Sequence, residues 1–194
     1  MQNRVLYRFT PYNHEIRGTD YNLQNLKKGG EELKNWLRGL LSKNKVGAQY
    51  YFVCVVLDLF SRRVLAYGIS DTNDTTLVME TFLSAYSSRN CPSGLMFHSD
   101  RGAPYTSYVF RELLREHHLR QSFSKPGEPY DNAVCESFFH TLKKEAIYHY
   151  LYATPNDLRI TLDSYVKFYN EERPHRALNM LTPKEKEAEF MIQQ

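Results

Sequence analysis

The chain has 194 residues, of which 42% are hydrophobic and 24% are charged, and its formal net charge at pH 7 is +3. This composition is typical of a globular protein and excludes a largely disordered chain. Three cysteines without a C-x-x-C pair exclude a disulfide framework and a zinc knuckle, and no apolar stretch is long enough to span a bilayer. We therefore expect a soluble, cytoplasmic protein with no membrane association.

Residues 1–48 are lysine-rich and weakly patterned, and we assign them to an atypical N-terminal segment with one helix predicted over 31–41. The pattern sharpens from residue 49, so we assign 49–190 to one domain. In chain order, its predicted elements are a β-hairpin over 50–70, a helix over 75–88, a strand over 94–99, a helix over 105–117, a strand over 119–124 and helices over 132–147 and 155–170. This order predicts a mixed sheet with helices packed on its faces.

The segment GLMFHSDRGAPYTS, residues 94–107, contains an apolar run that ends abruptly before Asp100 and Gly102. It predicts a buried strand that carries a carboxylate to its exposed end, followed by a glycine turn. A turn residue is the alternative interpretation of this aspartate.

The segment NAVCESFFHTLKKEA predicts an amphipathic helix with chemically active residues on its polar side. At about 100° per residue, Glu136, His140 and Lys143 share one face. The opposite face carries Val134, Phe138 and Leu142. An ordinary solvated helix face is the alternative interpretation, and Asp131 is interpreted as the cap of this helix rather than as a metal ligand.

The joint spacing of these residues is more specific than either segment alone. Thirty-five residues separate Asp100 from Glu136, and Lys143 follows seven positions later. This spacing resembles the D-35-E motif of DDE transposases and retroviral-type integrases. The segments VVLDLFSRRV, HSDRGAPYTS, SFSKPGEPYDNAVCESFFHTLKKE and YNEERPHRALNMLTP resemble, in order, the second-frame protein of IS3-family insertion-sequence transposases.

The resemblance implies an RNase H-like α/β fold, a mixed sheet flanked by helices with a C-terminal helical extension. It implies DNA transposition by metal-dependent strand transfer, for which two Mg²⁺ or Mn²⁺ ions need clustered carboxylates. Asp100 and Glu136 are then the expected metal ligands, and Lys143 is expected to hold DNA near the cut. His140 is a further DNA-contact candidate, with packing or solvent exposure as the alternative.

The C-terminal segment RPHRAL adds three more candidates. The resemblance implies DNA contacts by Arg173, His175 and Arg176, against the alternative of a solvated tail. It also implies DNA as the partner, a homo-oligomer that holds two DNA ends together, and a helix-turn-helix partner from the first frame that selects those ends. The location implied is the cytoplasm, on the nucleoid when DNA is bound.

The chain departs from the family in its first carboxylate. The family pattern W-x-x-D-x-T-Y places an aspartate on the first strand, but three residues after Trp36, the only tryptophan, this chain has Gly39. Asp58 is a weak candidate, and Asp20 echoes the motif far too early. We favour a third hypothesis, that residues 1 to about 45 come from a shifted reading frame, and it predicts a fold without its first strand.

Two other functions remain open. A catalytically inactive transposase relic would bind DNA non-specifically through phosphates, because the first aspartate is not identifiable. An RNase H-type nuclease would share the fold, but the RPH segment and Lys143 do not favour it.

Overall fold

The computed structural model describes residues 36–124 and 129–192; within them, the side chains of 36–38, 40, 41, 129–133, 135 and 136 lie outside the description. These ranges contain five strands, β1 (Trp36–Val46), β2 (Gln49–Asp58), β3 (Val64–Ser70), β4 (Met96–Ser99) and β5 (Arg120–Phe123). They contain six α-helices, α1 (Thr75–Ser88), α2 (Ala103–Thr106), α3 (Tyr108–Glu116), α4 (Pro129–Glu145), α5 (Pro155–Glu171) and α6 (Pro183–Ile192). None of these helices has the length and apolar character needed to cross a membrane.

The strands form one mixed sheet in the order β3-β2-β1-β4-β5. β1 pairs antiparallel with β2, β2 pairs antiparallel with β3, and β4 runs parallel to both β1 and β5. The central strand of the sheet is therefore β1.

β1 corrects two expectations from the sequence. The helix predicted over 31–41 is wrong from Trp36 onward, where the chain is a strand, while 31–35 lie outside the described residues. The first strand is present, so the expected fold without it is also wrong. β1 hydrogen-bonds to β2 along one edge and to β4 along the other, and this tertiary pairing overrides the weak local pattern. The sheet therefore begins 13 positions before the domain start expected at residue 49.

A hydrophobic core lies on each face of the sheet. On one face, Val53, Val55 and Leu57 of β2 pack against α4 and α5. On the other face, Cys54 and Val56 of the same strand pack against α1 and α3. Because successive side chains of β2 enter opposite cores, this strand is buried on both sides.

The helices predicted after residue 70 are present, with one change. The helix expected over 105–117 is split at Ser107, whose backbone is extended (φ −60°, ψ 147°). The Ser107 hydroxyl accepts a hydrogen bond from the Phe110 N–H (3.3 Å) and caps α3, so the chain turns between α2 and α3. Thr154 and Asp157 form a capping box at the start of α5.

The C-terminal helix α6 is fastened to the turn between β2 and β3. Glu187 forms ion pairs with Arg63 (2.6 Å) and Arg89, and Arg89 also pairs with Asp58 (3.0 Å). Phe60 packs edge-on against Phe190 of α6. Burial would raise the pKa of Glu187, but the hydrogen bonds and charges of the two arginines outweigh it and lower that pKa. We call Asp58, Arg63, Arg89 and Glu187 the α6 clamp.

Candidate active site

Asp100 follows β4 directly and is exposed at the end of the sheet. Its Oδ1 accepts a hydrogen bond from the Gly102 N–H (2.9 Å), which orients the carboxylate in the turn before α2. The Ser124 N–H donates to the Ser99 carbonyl (2.9 Å), so the chain after β5 holds the end of β4 in place. Within the described ranges, Oδ2 has no hydrogen-bond or ion-pair partner, so this carboxylate can bind a cation.

The register of β1 brings position 40 to the level of Asp100. Arg38 is the partner of His98 in the parallel pair, and Leu40 lies two residues further along, as Asp100 does. Leu40 is also the partner of Val55, which packs in the core beneath α4 and α5. Since directly paired residues share a face of a sheet, position 40 lies on the face that α4 covers.

Gly39, the position indicated by the tryptophan spacing, lies on the other face. It pairs with Val56, which belongs to the core beneath α1 and α3. A Cβ atom at Gly39 would lie 2.6 Å from Phe97 Cζ and 2.8 Å from Tyr105 Cε1, both in buried rings. No side chain fits there without displacing the core. A first-strand carboxylate would need position 40, where this chain has leucine.

Asp58 is held in a structural role. Its Oδ1 accepts hydrogen bonds from the N–H groups of Phe60 (2.8 Å) and Ser61 (3.0 Å), and its Oδ2 accepts one from Arg89 (3.0 Å). Burial raises the pKa of Asp58, against the opposing charge of Arg89. The structure therefore engages both oxygens in a turn and an ion pair, and it does not bring this candidate to Asp100. Asp20 lies outside the described residues.

Helix α4 has the two-sided character that its sequence predicts. Phe138 and Leu142 are buried in the core, His140 is exposed and Lys143 is half-buried. Val134 is also half-buried. Glu136 lies on the backbone of α4, and its side chain is outside the described part of the structure. In the described side chains, no three His, Cys, Asp or Glu residues form a metal site.

The expected helix cap at Asp131 is wrong. α4 begins at Pro129, so Asp131 is already in the first turn of the helix and cannot be the residue that precedes it. Its side chain is not among those described.

Two of the three C-terminal DNA-contact candidates are occupied by contacts within the protein. Arg173 binds Glu145 at the end of α4 through two hydrogen bonds (2.8 and 2.7 Å), which lower the pKa of that carboxyl. His175 is buried, its Nε2 donates to the Tyr169 carbonyl (3.2 Å), and burial lowers its pKa. Arg176 is exposed. Arg173 and His175 therefore anchor α4 and α5, and of the three candidates Arg176 is the exposed one.

Sequence reasoning missed the partners of these anchors. Arg173 is 28 residues from Glu145, and Arg89 is 98 residues from Glu187, so no local periodicity relates them. It also passed over Lys43 and Lys45, although alternating lysines in a strand indicate one exposed, basic face.

Two family models, both described as "Integrase core domain", match residues 37–129 and 117–183. The chain is 34% identical over 137 residues to the transposase InsF of insertion sequence IS3A from Escherichia coli K12, covering 70% of this chain and 48% of that protein. The chain belongs to the integrase core domain family, and the curated proteins that it resembles are insertion-sequence transposases.

A further relative of this integrase core extends the match toward the N-terminus. The putative transposase InsK of insertion sequence IS150 from Escherichia coli K12 is 30% identical over 177 residues, 91% of this chain and 62% of that protein. The alignment therefore reaches into the segment before residue 48. The chain spans about half the length of the curated relatives that it matches.

A solved structure confirms the expected fold of this integrase core. The HTLV-2 integrase catalytic core domain, solved in complex with magnesium, superposes with a TM-score of 0.62 at 19% identity and covers 79% of this chain and 96% of that chain. The mixed sheet flanked by helices is thus the RNase H-like architecture of integrase and transposase cores.

Proposed function

We propose that this chain is the catalytic core of a transposase that transfers DNA strands by metal-dependent phosphoryl transfer. The observation that carries the proposal is Asp100, an exposed carboxylate at a strand end with one oxygen without a partner within the described ranges. Asp100 and Glu136 are the proposed ligands of Mg²⁺ or Mn²⁺, since carboxylate oxygens suit these hard cations. Bound there, the metal would polarise the phosphate and stabilise the charge that develops on its oxygens.

Other groups of the protein position the Asp100 carboxylate and hold the DNA near the reacting phosphate. The Gly102 N–H holds the Asp100 carboxylate in position before any cation arrives. Lys143, on the same helix as Glu136, is proposed to hold a phosphate next to the reacting one. His140 and Arg176 are exposed and can contact the DNA backbone further away. Arg173 and His175 act indirectly, because Arg173 anchors α4 and His175 anchors α5.

A second candidate function is DNA binding without cleavage. The observation that favours it is the leucine at position 40, level with Asp100, where a third carboxylate would complete the site. Binding through phosphates would persist without that carboxylate, because it depends on lysines and arginines and on the release of counterions.

Nicking of supercoiled plasmid DNA in Mn²⁺ separates the two functions. If the chain is catalytic, the parent nicks the plasmid, and Asp100→Asn and Glu136→Gln each lower the rate about a hundredfold or more. Asp71→Asn is the matched control, since Asp71 is an exposed aspartate outside the site. A folded parent that binds the plasmid in a salt-sensitive way but never nicks it supports binding without cleavage and ends the catalytic proposal.

The proposed assembly is a homo-oligomer on DNA, with a first-frame helix-turn-helix protein as the partner that selects the ends. The HTLV-2 integrase core was solved in a dimeric form, and joining two DNA ends requires two cores. Light scattering of the chain with and without an end-sequence duplex tests this, and a monomer in both conditions would contradict it.

A further inference from the structure

Ser124 contacts the chain on both sides of Asp100. Its N–H donates to the Ser99 carbonyl (2.9 Å), and its own carbonyl accepts a hydrogen bond from Arg101 Nε (3.5 Å). Its hydroxyl lies 3.4 Å from His98 Nε2. The backbone and the side chain of this one residue therefore bind the positions that flank the proposed metal ligand.

His98 lies between two serines at the end of the neighbouring strand. Its side chain is fully buried, with Nδ1 3.1 Å from the Ser122 hydroxyl and Nε2 next to the Ser124 hydroxyl. Phe97 packs in the core beneath α1 and α3, so the alternation of side chains along β4 puts His98 on the face that α4 covers. Burial of an imidazole is costly unless its nitrogens are hydrogen-bonded, and the two hydroxyls meet this requirement. We call His98, Ser122 and Ser124 the β4–β5 junction.

The β4–β5 junction also lies where the chain leaves β5 toward α4. Ser124 directly follows β5, and α4, which carries Glu136, is the next described element. The same contacts thus hold the end of β4, from which Asp100 projects, and the start of the chain that leads to the other proposed ligand. Residues that hydrogen-bond around a metal ligand in this way orient it, although they do not touch the metal.

We propose that His98 and Ser124 are positioning residues for the Asp100 carboxylate. They hold the end of β4 against the chain that leaves β5, so that the carboxylate keeps the orientation in which it accepts the Gly102 N–H. Neither residue touches metal or DNA in this role. The inference rests on the proposed strand-transfer function and deepens it, because it specifies what keeps one ligand in place before a cation binds.

Amide hydrogen exchange of the full-length chain in EDTA, resolved by NMR, measures this positioning without metal. The Gly102 N–H is the reporter, because its bond to Asp100 Oδ1 persists only while the turn keeps its shape. We expect Ser124→Ala and His98→Leu each to accelerate this exchange about tenfold, which corresponds to the loss of one hydrogen bond. Ser124→Thr keeps a hydroxyl and should restore the parental rate.

Ser61→Ala is the matched control. Ser61 is also a fully buried serine, and its hydroxyl donates to Glu187 (3.0 Å) in the α6 clamp. We expect this variant to lower the free energy of unfolding and to leave the exchange of the Gly102 N–H unchanged. Equal acceleration in Ser61→Ala, or a parental rate in both Ser124→Ala and His98→Leu, would overturn the proposal. Circular dichroism verifies that each variant is folded.

Plasmid nicking gives a second readout that a general loss of stability would not reproduce. In a parent that nicks, we expect Ser124→Ala to raise the Mn²⁺ concentration for half-maximal rate about tenfold, with the KM for plasmid unchanged and with rescue by Ser124→Thr. A raised KM with an unchanged Mn²⁺ requirement would contradict the proposal. Because exchange is measured without metal or DNA, it decides the positioning role for a parent that does not nick as well. Failure of the inference is therefore distinct from failure of the proposed function.

Discussion

Asp100 and Asp58 both follow strands, yet their surroundings give them different capacities. Asp58 receives two backbone N–H groups and a guanidinium, so both of its oxygens are occupied within the protein. Among the described residues, Asp100 receives one N–H group and keeps an oxygen for a ligand from solvent. A carboxylate already neutralised by arginine gains little from a metal ion, whereas an unpaired one gains charge compensation. The hydrogen-bond partners, rather than the residue type, distinguish the two aspartates.

At the same scale, the register of β1 places the adjacent positions 39 and 40 on opposite faces of the sheet, so the same substitution is expected to have different effects at the two. We expect Leu40→Asp to add or increase Mn²⁺-dependent nicking, because it places a carboxylate level with Asp100 on the face that α4 covers. Plasmid nicking is the measurement, with Leu40→Asn as the isosteric control that lacks the charge.

Gly39→Asp is the matched positional control. Its Cβ would meet the rings of Phe97 and Tyr105, so we expect a loss of about 2 kcal/mol or more in the free energy of unfolding and no added nicking. Nicking that increases in Gly39→Asp but not in Leu40→Asp would show that the face assignment of β1 is wrong.

At the scale of elements, α6 is held in place by contacts with residues that are far from it in the sequence. Glu187 of this helix joins Arg63 and Arg89, and the side chains of Arg89 and Glu187 are 15% and 14% exposed. Ion pairs so poorly exposed are screened less than surface pairs, and removal of one partner leaves the other charges without compensation. The α6 clamp therefore links the C-terminus to the β2–β3 turn and to the end of α1.

We expect Glu187→Ala to lower the free energy of unfolding by roughly 2 kcal/mol, because Arg89 and Arg63 lose their shared carboxylate. Urea unfolding followed by circular dichroism measures it. Glu189→Ala, which removes an exposed i,i+3 pair on the same helix, should cost about 0.5 kcal/mol or less. Similar costs for the two variants would mean that the clamp contributes no more than a surface pair.

At the scale of the molecule, β1 determines whether the sheet is one unit. Without this strand, β2 and β3 would form one pair and β4 and β5 another, with no hydrogen bonds between the pairs. Each pair would expose an unpaired edge, and the two cores would lose the strand between them. The fold thus depends on residues that the sequence pattern assigned to a segment outside the domain.

A truncation tests this dependence. We expect a fragment that starts at residue 49 to lose cooperative unfolding, whereas a fragment that starts at Trp36 retains it. Thermal unfolding by circular dichroism and amide exchange of β2 measure the difference. A fragment from residue 49 with native-like cooperativity and slow exchange in β2 would contradict the central role of β1.

The sequence by itself determined the elements whose pattern is local. The hairpin of β2 and β3, the amphipathic helices and the strand before Asp100 follow from side-chain periodicity and turn residues, which need no knowledge of distant partners. The spacing of Asp100, Glu136 and Lys143 and the flanking motifs sufficed to indicate the family.

Only the tertiary structure decided the features that depend on residues far apart in the chain. β1 is a strand because β2 and β4 pair with it, and position 40 differs from position 39 because that pairing assigns them opposite faces. Arg173 and His175 are anchors because the fold brings Glu145 and the Tyr169 carbonyl to them. Hydrogen bonds and ion pairs of this kind are made by side chains that meet only after the sheet and helices have assembled, so no local pattern in the sequence encodes them.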